Sequence, residues 1–183
     1  MELETERLIL RQWKSTDLDV FAEINSNPNA MEYFPYLFSR EQSDDLASRL
    51  KEEISLKGWG MWAAELKDNQ EFIGFVGIHT PESIFSSSPC VEIGWRLHPR
   101  YWGFGYATEA GKKSLEFAFN QIELNEVVAM TTVKNYRSVA VMKRLGLKDT
   151  HSNFMHPKLP KESAVSEHFL FKITQGNWKE SNK

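Results

Sequence analysis

The residues Arg100-Tyr101-Trp102-Gly103-Phe104-Gly105-Tyr106-Ala107-Thr108-Glu109-Ala110 place two side-chain-free positions just ahead of a helix expected to start near Tyr106. Glycines at 103 and 105 let consecutive N–H groups converge, and the open amides and positive dipole end of the helix then face the same point. Such a turn holds an anion, above all a phosphate, without needing a lysine. A P-loop is excluded, because it requires four residues between its glycine and a Gly-Lys-Ser/Thr, whereas Gly111-Lys112-Lys113-Ser114 falls inside the expected helix. A dinucleotide fingerprint fits poorly: Thr108 stands where its third glycine belongs, and Glu123 and Glu126, near the acidic distance, precede or open the next strand.

The elements that must position this loop are legible on both sides of it. Arg7 to Arg11 reads as an opening strand, and a helix capped by Ser15 or Thr16 carries Leu18, Phe21, Ala22 and Asn25 on one face until Asn27-Pro28-Asn29. The aromatic stretch Tyr33 to Phe38 reads as a loop. Ser39 and Gln42 form a capping box for a helix running to about Lys57, before Gly58. Met61 to Leu66 and Phe72 to Ile78 alternate with period two around a turn at Asp68-Asn69, which makes a hairpin. A flexible link from Pro81 to Pro89 precedes a strand over Val91 to Leu97, where Val91, Ile93, Trp95 and Leu97 share one face and Glu92, Gly94 and Arg96 the other. After the glycine loop, Ala107, Ala110, Gly111, Ser114, Leu115, Ala118 and Ile122 fall at helical spacing, and their small size permits close packing on a sheet. A strand from Val127 to Val133, a helix from Asn135 to Leu145 stopped by Gly146, and a last strand from His168 to Ile173 complete the pass. Early hairpins followed by strand–helix–strand–helix–strand imply an α/β chain of mixed α+β type, with helices on both faces of one sheet.

At 183 residues with 41% apolar side chains the chain fits a single domain over 1–183, its last residues from about 175 expected to fray. A formal charge of −3 and a pI near 6.0 argue against a nucleic-acid partner. A single cysteine, Cys90, excludes an internal disulfide, and Glu2, Glu4 and Glu6 stand where a secretory leader would be basic and then apolar. With no apolar run near the roughly 18 residues of a membrane span, the expectation is no membrane and a cytoplasmic location. The five histidines lack a helical H-x-x-x-H spacing, so no metal is expected.

The spacing Arg100-x-x-Gly103-x-Gly105 resembles the Q/R-x-x-G-x-G/A signature of the GNAT superfamily of acetyl-coenzyme A dependent N-acetyltransferases. The wording Tyr-Trp-Gly-x-Gly-Tyr-Ala-Thr-Glu-Ala is similar to its RimJ/RimL-like branch. The resemblance runs from Thr5 to Ile173 and is densest between Val91 and Leu147. It implies the GNAT fold, with a central mixed, mostly antiparallel sheet, and acetyl-CoA as cosubstrate. Its pyrophosphate would lie on the amides of Arg100, Tyr101, Trp102, Gly103, Phe104, Gly105, Tyr106, Ala107 and Thr108. Its pantetheine would pair with the backbone of Trp95, Arg96 and Leu97.

Acyl transfer from a thioester to an amine also needs a proton acceptor for the amine and a proton for the departing thiolate. Glu92, the one carboxylate on its strand, is the candidate base, with a solvated carboxylate or a salt bridge to Arg96 as the plainer readings. The segment Asn135 to Leu147 resembles the family's N-x-x-S/A-x-x-V/L-Y-x-x-L-G-F pattern, with Met142 where many members carry a tyrosine acid. Ser138, on the same helical face, is the substitute that the RimJ/RimL-like branch suggests, and Asn135 combines a helix cap with a reach toward the pantetheine. His156, in a late Phe-x-His-Pro stretch, is a loop histidine or a second base. Cys90 reads as a packed residue rather than a nucleophile.

The acceptor is an amine. A free α-amine of pKa about 7.7–8 is roughly a tenth neutral at pH 7, whereas a lysine near 10.4 pays about 4–5 kcal/mol to lose its proton. A protein N-terminus is thus favoured and small amines stay open. A non-catalytic acyl-CoA binding domain, suggested by Met142, and a nucleotide-binding oxidoreductase domain are the alternatives from other classes.

Overall fold

Alternating apolar residues build a sheet before they build anything else in this chain. The computed structural model describes residues 2–81 and 90–181, so most of the expected link between Pro81 and Pro89 lies outside the described residues. Its strands are β1 (Leu3–Glu4), β2 (Leu8–Arg11), β3 (Met61–Leu66), β4 (Phe72–His79), β5 (Glu92–Leu97), β6 (Glu126–Thr132), β7 (Lys148–Asp149), β8 (Phe154–Met155) and β9 (Glu167–Thr174). They join in the order β1-β2-β3-β4-β5-β6-β9-β7, with β8 also on β9. Every pairing is antiparallel except that of β5 with β6. The mixed, mostly antiparallel sheet expected from the sequence is the one observed.

Helices α1 (Leu18–Ser26), α2 (Arg40–Lys57), α3 (Tyr106–Asn120), α4 (Tyr136–Arg144) and α5 (Gln175–Ser181) accompany it. Side-chain parity assigns them to faces. Phe21 of α1 meets Phe75 at 5.9 Å between ring centroids, whereas Phe117 of α3 meets Trp62 at 5.4 Å, and Trp62 stands opposite Val76 in the ladder. Neighbouring positions on β4 therefore serve opposite layers, with α1 and α2 on one side and α3 on the other. Phe21 and Trp62 are both fully buried, and burying a side chain such as Phe21 stabilises by about 1.5–3 kcal/mol.

Local signals explain most boundaries. Ser39 and Gln42 form the expected capping box on α2, and Gly58 ends that helix at φ +77. The start of α1 departs from expectation: Ser15 to Asp17 form a 3₁₀ turn, and neither Ser15 nor Thr16 caps the helix. Asp17 instead turns inward to accept from the Arg11 guanidinium at 2.8 Å, while Arg11 Nε donates to Glu65 at 2.6 Å. Burial works against the Arg11 charge, and the hydrogen bonds it donates to Asp17 and Glu65 outweigh that, so its pKa is raised. The tail from about 175, expected to fray, forms α5, because Trp178 buries itself 5.9 Å from Phe119. Among the described residues no helix is long and apolar enough to cross a membrane.

Candidate active site

One cleft gathers nearly all of the residues in question. β5 and β6 are parallel neighbours that pair only at Glu92 and Val128, where the Val128 N–H donates to the Val91 carbonyl at 3.0 Å. Beyond that rung the ladder stops, so the strands part and their exposed edges frame a gap. The gap belongs to a cavity of about 1150 Å³ that continues to the glycine loop and the start of α4. That exceeds the roughly 300–1,000 Å³ usual for one drug-sized ligand and leaves room for two substrates.

The glycine loop supplies an anion site by geometry. Gly103 and Gly105 sit at φ +85 and +86, the left-handed region that glycine enters without strain, and Gly105 is the N-cap of α3. The first bond onto α3 runs from the Glu109 N–H to the Gly105 carbonyl, at 3.0 Å. Among the described residues none of the six amides from Gly103 to Thr108 has a hydrogen-bond partner. Six open donors at a helix start fit a diphosphate, but the Tyr101 and Trp102 amides, expected to share in it, donate within the 3₁₀ turn to the His98 and Pro99 carbonyls at 2.9 and 3.2 Å. Trp102 holds the loop against the strand end by donating from Nε1 to the Leu97 carbonyl at 2.9 Å. Glu109 fixes the other side: it accepts from the Thr5 hydroxyl at 2.6 Å, the Arg7 amide at 2.9 Å and the Arg7 Nε at 2.7 Å.

Glu92, Trp95, Arg96, Leu97, Tyr101, Trp102, Gly103, Phe104, Gly105, Tyr106, Ala107, Thr108, Asn135 and Ser138 all line this cavity. Arg100 does not. Its guanidinium is exposed and faces Glu71 at 3.8 Å, and its amide is taken by His98 Nδ1 at 3.1 Å, because a 3₁₀ turn over Pro99–Tyr101 swings residue 100 away.

Glu92 does not pair with Arg96. Its Oε2 lies 3.1 Å from Nε2 of His79, its neighbour in the ladder between β4 and β5. Two further histidines stand near: His156 and His168 have ring centroids 5.0 Å apart. Burial holds the pKa of both below the usual imidazole value, and the Glu92 charge pulls each partway back. His79 and His168 were missed by sequence reasoning, since only strand register brings them to Glu92.

On α4, Asn135 accepts from the Ser138 N–H at 3.1 Å, so its oxygen caps the helix while its amide nitrogen stays open. The Ser138 hydroxyl has no hydrogen-bond partner among the described residues. Met142, below it, is buried. Arg137 crosses the mouth, with its guanidinium 4.5 Å from the Trp102 ring and 2.5 Å from the Glu32 carboxylate. Lys112 and Arg144 are further cations of the wall.

Residues 7–148 match the model of the acetyltransferase (GNAT) domain family. The chain belongs to the GNAT acetyltransferases. It is accordingly an N-acetyltransferase that takes its acyl group from acetyl-CoA. The chain is 26% identical to an uncharacterized N-acetyltransferase, YnaD, of Bacillus subtilis, over 97% of this chain and 99% of that one. A solved GNAT-family acetyltransferase from Bacillus anthracis is 22% identical and superposes with a TM-score of 0.79 over 96% of this chain and 99% of that one. The ribosomal-protein-S5-alanine acetyltransferase of Vibrio fischeri shares the fold at 19% identity and a TM-score of 0.74, over 97% and 98% of the two chains. In this GNAT enzyme, Glu92, the open amides and Ser138 share one cleft wall.

Proposed function

We propose that this chain acetylates the α-amine of a protein or peptide N-terminus, with the coenzyme on the glycine-loop side of the cleft and the acceptor reaching Glu92 from the face of β5 that looks toward α1 and α2. The observation that carries the reading is a single cleft holding six open amides at one end and the half-buried carboxylate of Glu92 at the other. Acetyl-CoA supplies an activated acyl group. The amides of Gly103 to Thr108 are main-chain donors that would hold its diphosphate, and the open edge of β5 at Trp95, Arg96 and Leu97 would pair with its amide-bearing arm.

Glu92 accepts the proton that the amine sheds as its nitrogen bonds to the acyl carbon. His79, at 3.1 Å, orients that carboxylate. As the carbon–sulfur bond breaks, Ser138 donates a hydrogen bond to the thiolate, whose conjugate thiol of pKa about 8.5 leaves without a strong acid. That is why Met142 can stand where other members carry tyrosine. The RimJ/RimL-like wording of the loop and the lower proton cost of an α-amine support the acceptor class, and a ribosomal-protein-S5-alanine acetyltransferase is among the proteins that share the fold.

The test is release of free thiol from acetyl-CoA with a panel of peptides, polyamines and amino acids. Peptide N-termini should turn over fastest, with kcat falling at least tenfold in Glu92→Gln and in Ser138→Ala. Unchanged rates in both variants would remove these residue roles, and preference for a polyamine would remove the acceptor class.

A further inference from the structure

Arg96 shares the acceptor-facing side of β5 with Glu92, yet it has no counter-ion. Its Nη1 donates to Asn25 Oδ1 at 2.6 Å, and its Nε is enclosed with no partner. The rest of the head lies among rings, 4.1 Å from the centroid of Phe34 and 5.6 Å from those of Phe38 and Phe75. Burial pushes its pKa down to about 10, which leaves it charged at neutral pH. Carboxylates are present on the covering helices but are engaged elsewhere: Glu23 with His98, Asp19 and Asp44 with Arg40.

A cation out of water with only neutral neighbours costs several kcal/mol, and the chain's own solution for a buried arginine is visible at Arg11, which takes two carboxylates. Arg96 is held differently. Asn25 is itself fixed, because its Nδ2 donates to the buried Ser43 hydroxyl at 2.8 Å, so the guanidinium is oriented before any ligand arrives. Its residual exposure opens on the same cavity as Glu92. An oriented, desolvated guanidinium without an anion is the receiving half of a charge-assisted pair.

We infer that Arg96 binds a carboxylate of the acceptor, which makes the preferred substrates of this enzyme amines that carry an acidic group one or two residues from the reacting nitrogen. This rests on the reading in which the acceptor reaches Glu92 from the α1 and α2 face. Four residues of strand separate the two side chains, about 13 Å between their Cα atoms, and the long Arg96 arm shortens the span that the acceptor must cover. The carboxylate belongs either to an acidic side chain at the second position or to the free end of a short peptide.

Two matched pairs of acceptors separate these sources: Ala-Glu-amide against Ala-Gln-amide, and Ala-Ala against Ala-Ala-amide. Thiol release from acetyl-CoA by the wild-type enzyme should favour the acid at least tenfold in kcat/KM within one pair, with the difference in the acceptor KM. Arg96→Gln should erase that preference, and Arg96→Lys should keep part of it. Equal turnover of acid and amide in both pairs overturns the inference, as does a preference that survives in a folded Arg96→Gln enzyme. The wild-type comparison decides even where the variant does not fold. Release of thiol with no carboxylate preference defeats this inference alone, whereas no release with any amine defeats the acetyl-transfer reading beneath it.

Discussion

Replacing Gly103 with alanine should weaken coenzyme binding far more than it weakens the fold. Gly103 lies at φ +85, is exposed, and a Cβ built on it meets no protein atom within 4 Å. The only folding cost is therefore the left-handed backbone, about 1–2 kcal/mol for an L-residue. For a chain of this size each kcal/mol moves Tm by about 2–4 °C, so melting should fall by roughly 2–8 °C. Binding suffers differently, because the added methyl stands beside the amides that have no protein partner. Losing one charge-assisted hydrogen bond costs about 1.5–3 kcal/mol, a weakening of roughly tenfold to 150-fold in Kd. Calorimetry with coenzyme A, at a temperature well below the shifted Tm, reads this directly. Gly146→Ala is the control: that glycine also sits at φ +85, but it follows α4 and is not part of the cleft wall, so it should lose melting temperature and keep coenzyme affinity. Coenzyme affinity within threefold of wild type in Gly103→Ala, alongside the expected drop in Tm, would refute the main-chain anion site.

Other perturbations probe the frame around the cleft. Glu109→Gln leaves the Arg7 guanidinium without its anion and should lower stability by about 1–3 kcal/mol in urea unfolding. Burial works to raise the Glu109 pKa, but the hydrogen bonds from Thr5 and Arg7 prevail and lower it. Its contribution is therefore present above the unfolded value of about 4.5 and is lost as pH falls through the lower folded value, so acid unfolding should be shallower in the variant. Arg11→Met leaves the buried Asp17 without its cation and Glu65 with Lys14 alone, and should cost about 3–5 kcal/mol in the same assay. For His156 and His168 the folded pKa is depressed, chiefly by burial, so the unfolded chain binds more protons just below pH 6.5. Stability should rise with pH through that window, and thermal melts of His168→Gln should show a flatter rise.

Much of the frame could be read from residue spacing. The hairpin of the 60s and 70s is legible because both faces of β3 and β4 are covered, which makes each strand a nearly continuous apolar run on either side of a short turn, and the Ser39–Gln42 box marks a helix start by side-chain chemistry alone. Tiny strands were invisible for the opposite reason. β1, β7 and β8 have two residues each, too few for any period, and exist because β2 or β9 offers them an edge. α5 hides similarly, since Gln175–Ser181 is polar apart from Trp178 and becomes a helix by docking that one indole. At the start of α1, Asp17 accepts from the Lys14 amide and also pairs with Arg11, a partner that capping rules do not see.

The surroundings of Glu92 show where linear reading ends in the site itself. Parity on β5 correctly separates Glu92, Gly94 and Arg96 from the apolar line, and within the strand Arg96 is the only cation on offer. Extended geometry refuses that pair, because four residues of strand span about 13 Å, well beyond ion-pairing reach for two side chains held upright by packing. What faces Glu92 is set by the register of β4 against β5, in which Gly77 stands opposite Gly94, and His79 therefore opposite Glu92. The same register leaves Arg96 across from Phe75. One antiparallel alignment thus gives the carboxylate a partner and denies one to the guanidinium, which is why the first can be a base in a finished enzyme and the second still has an anion to find.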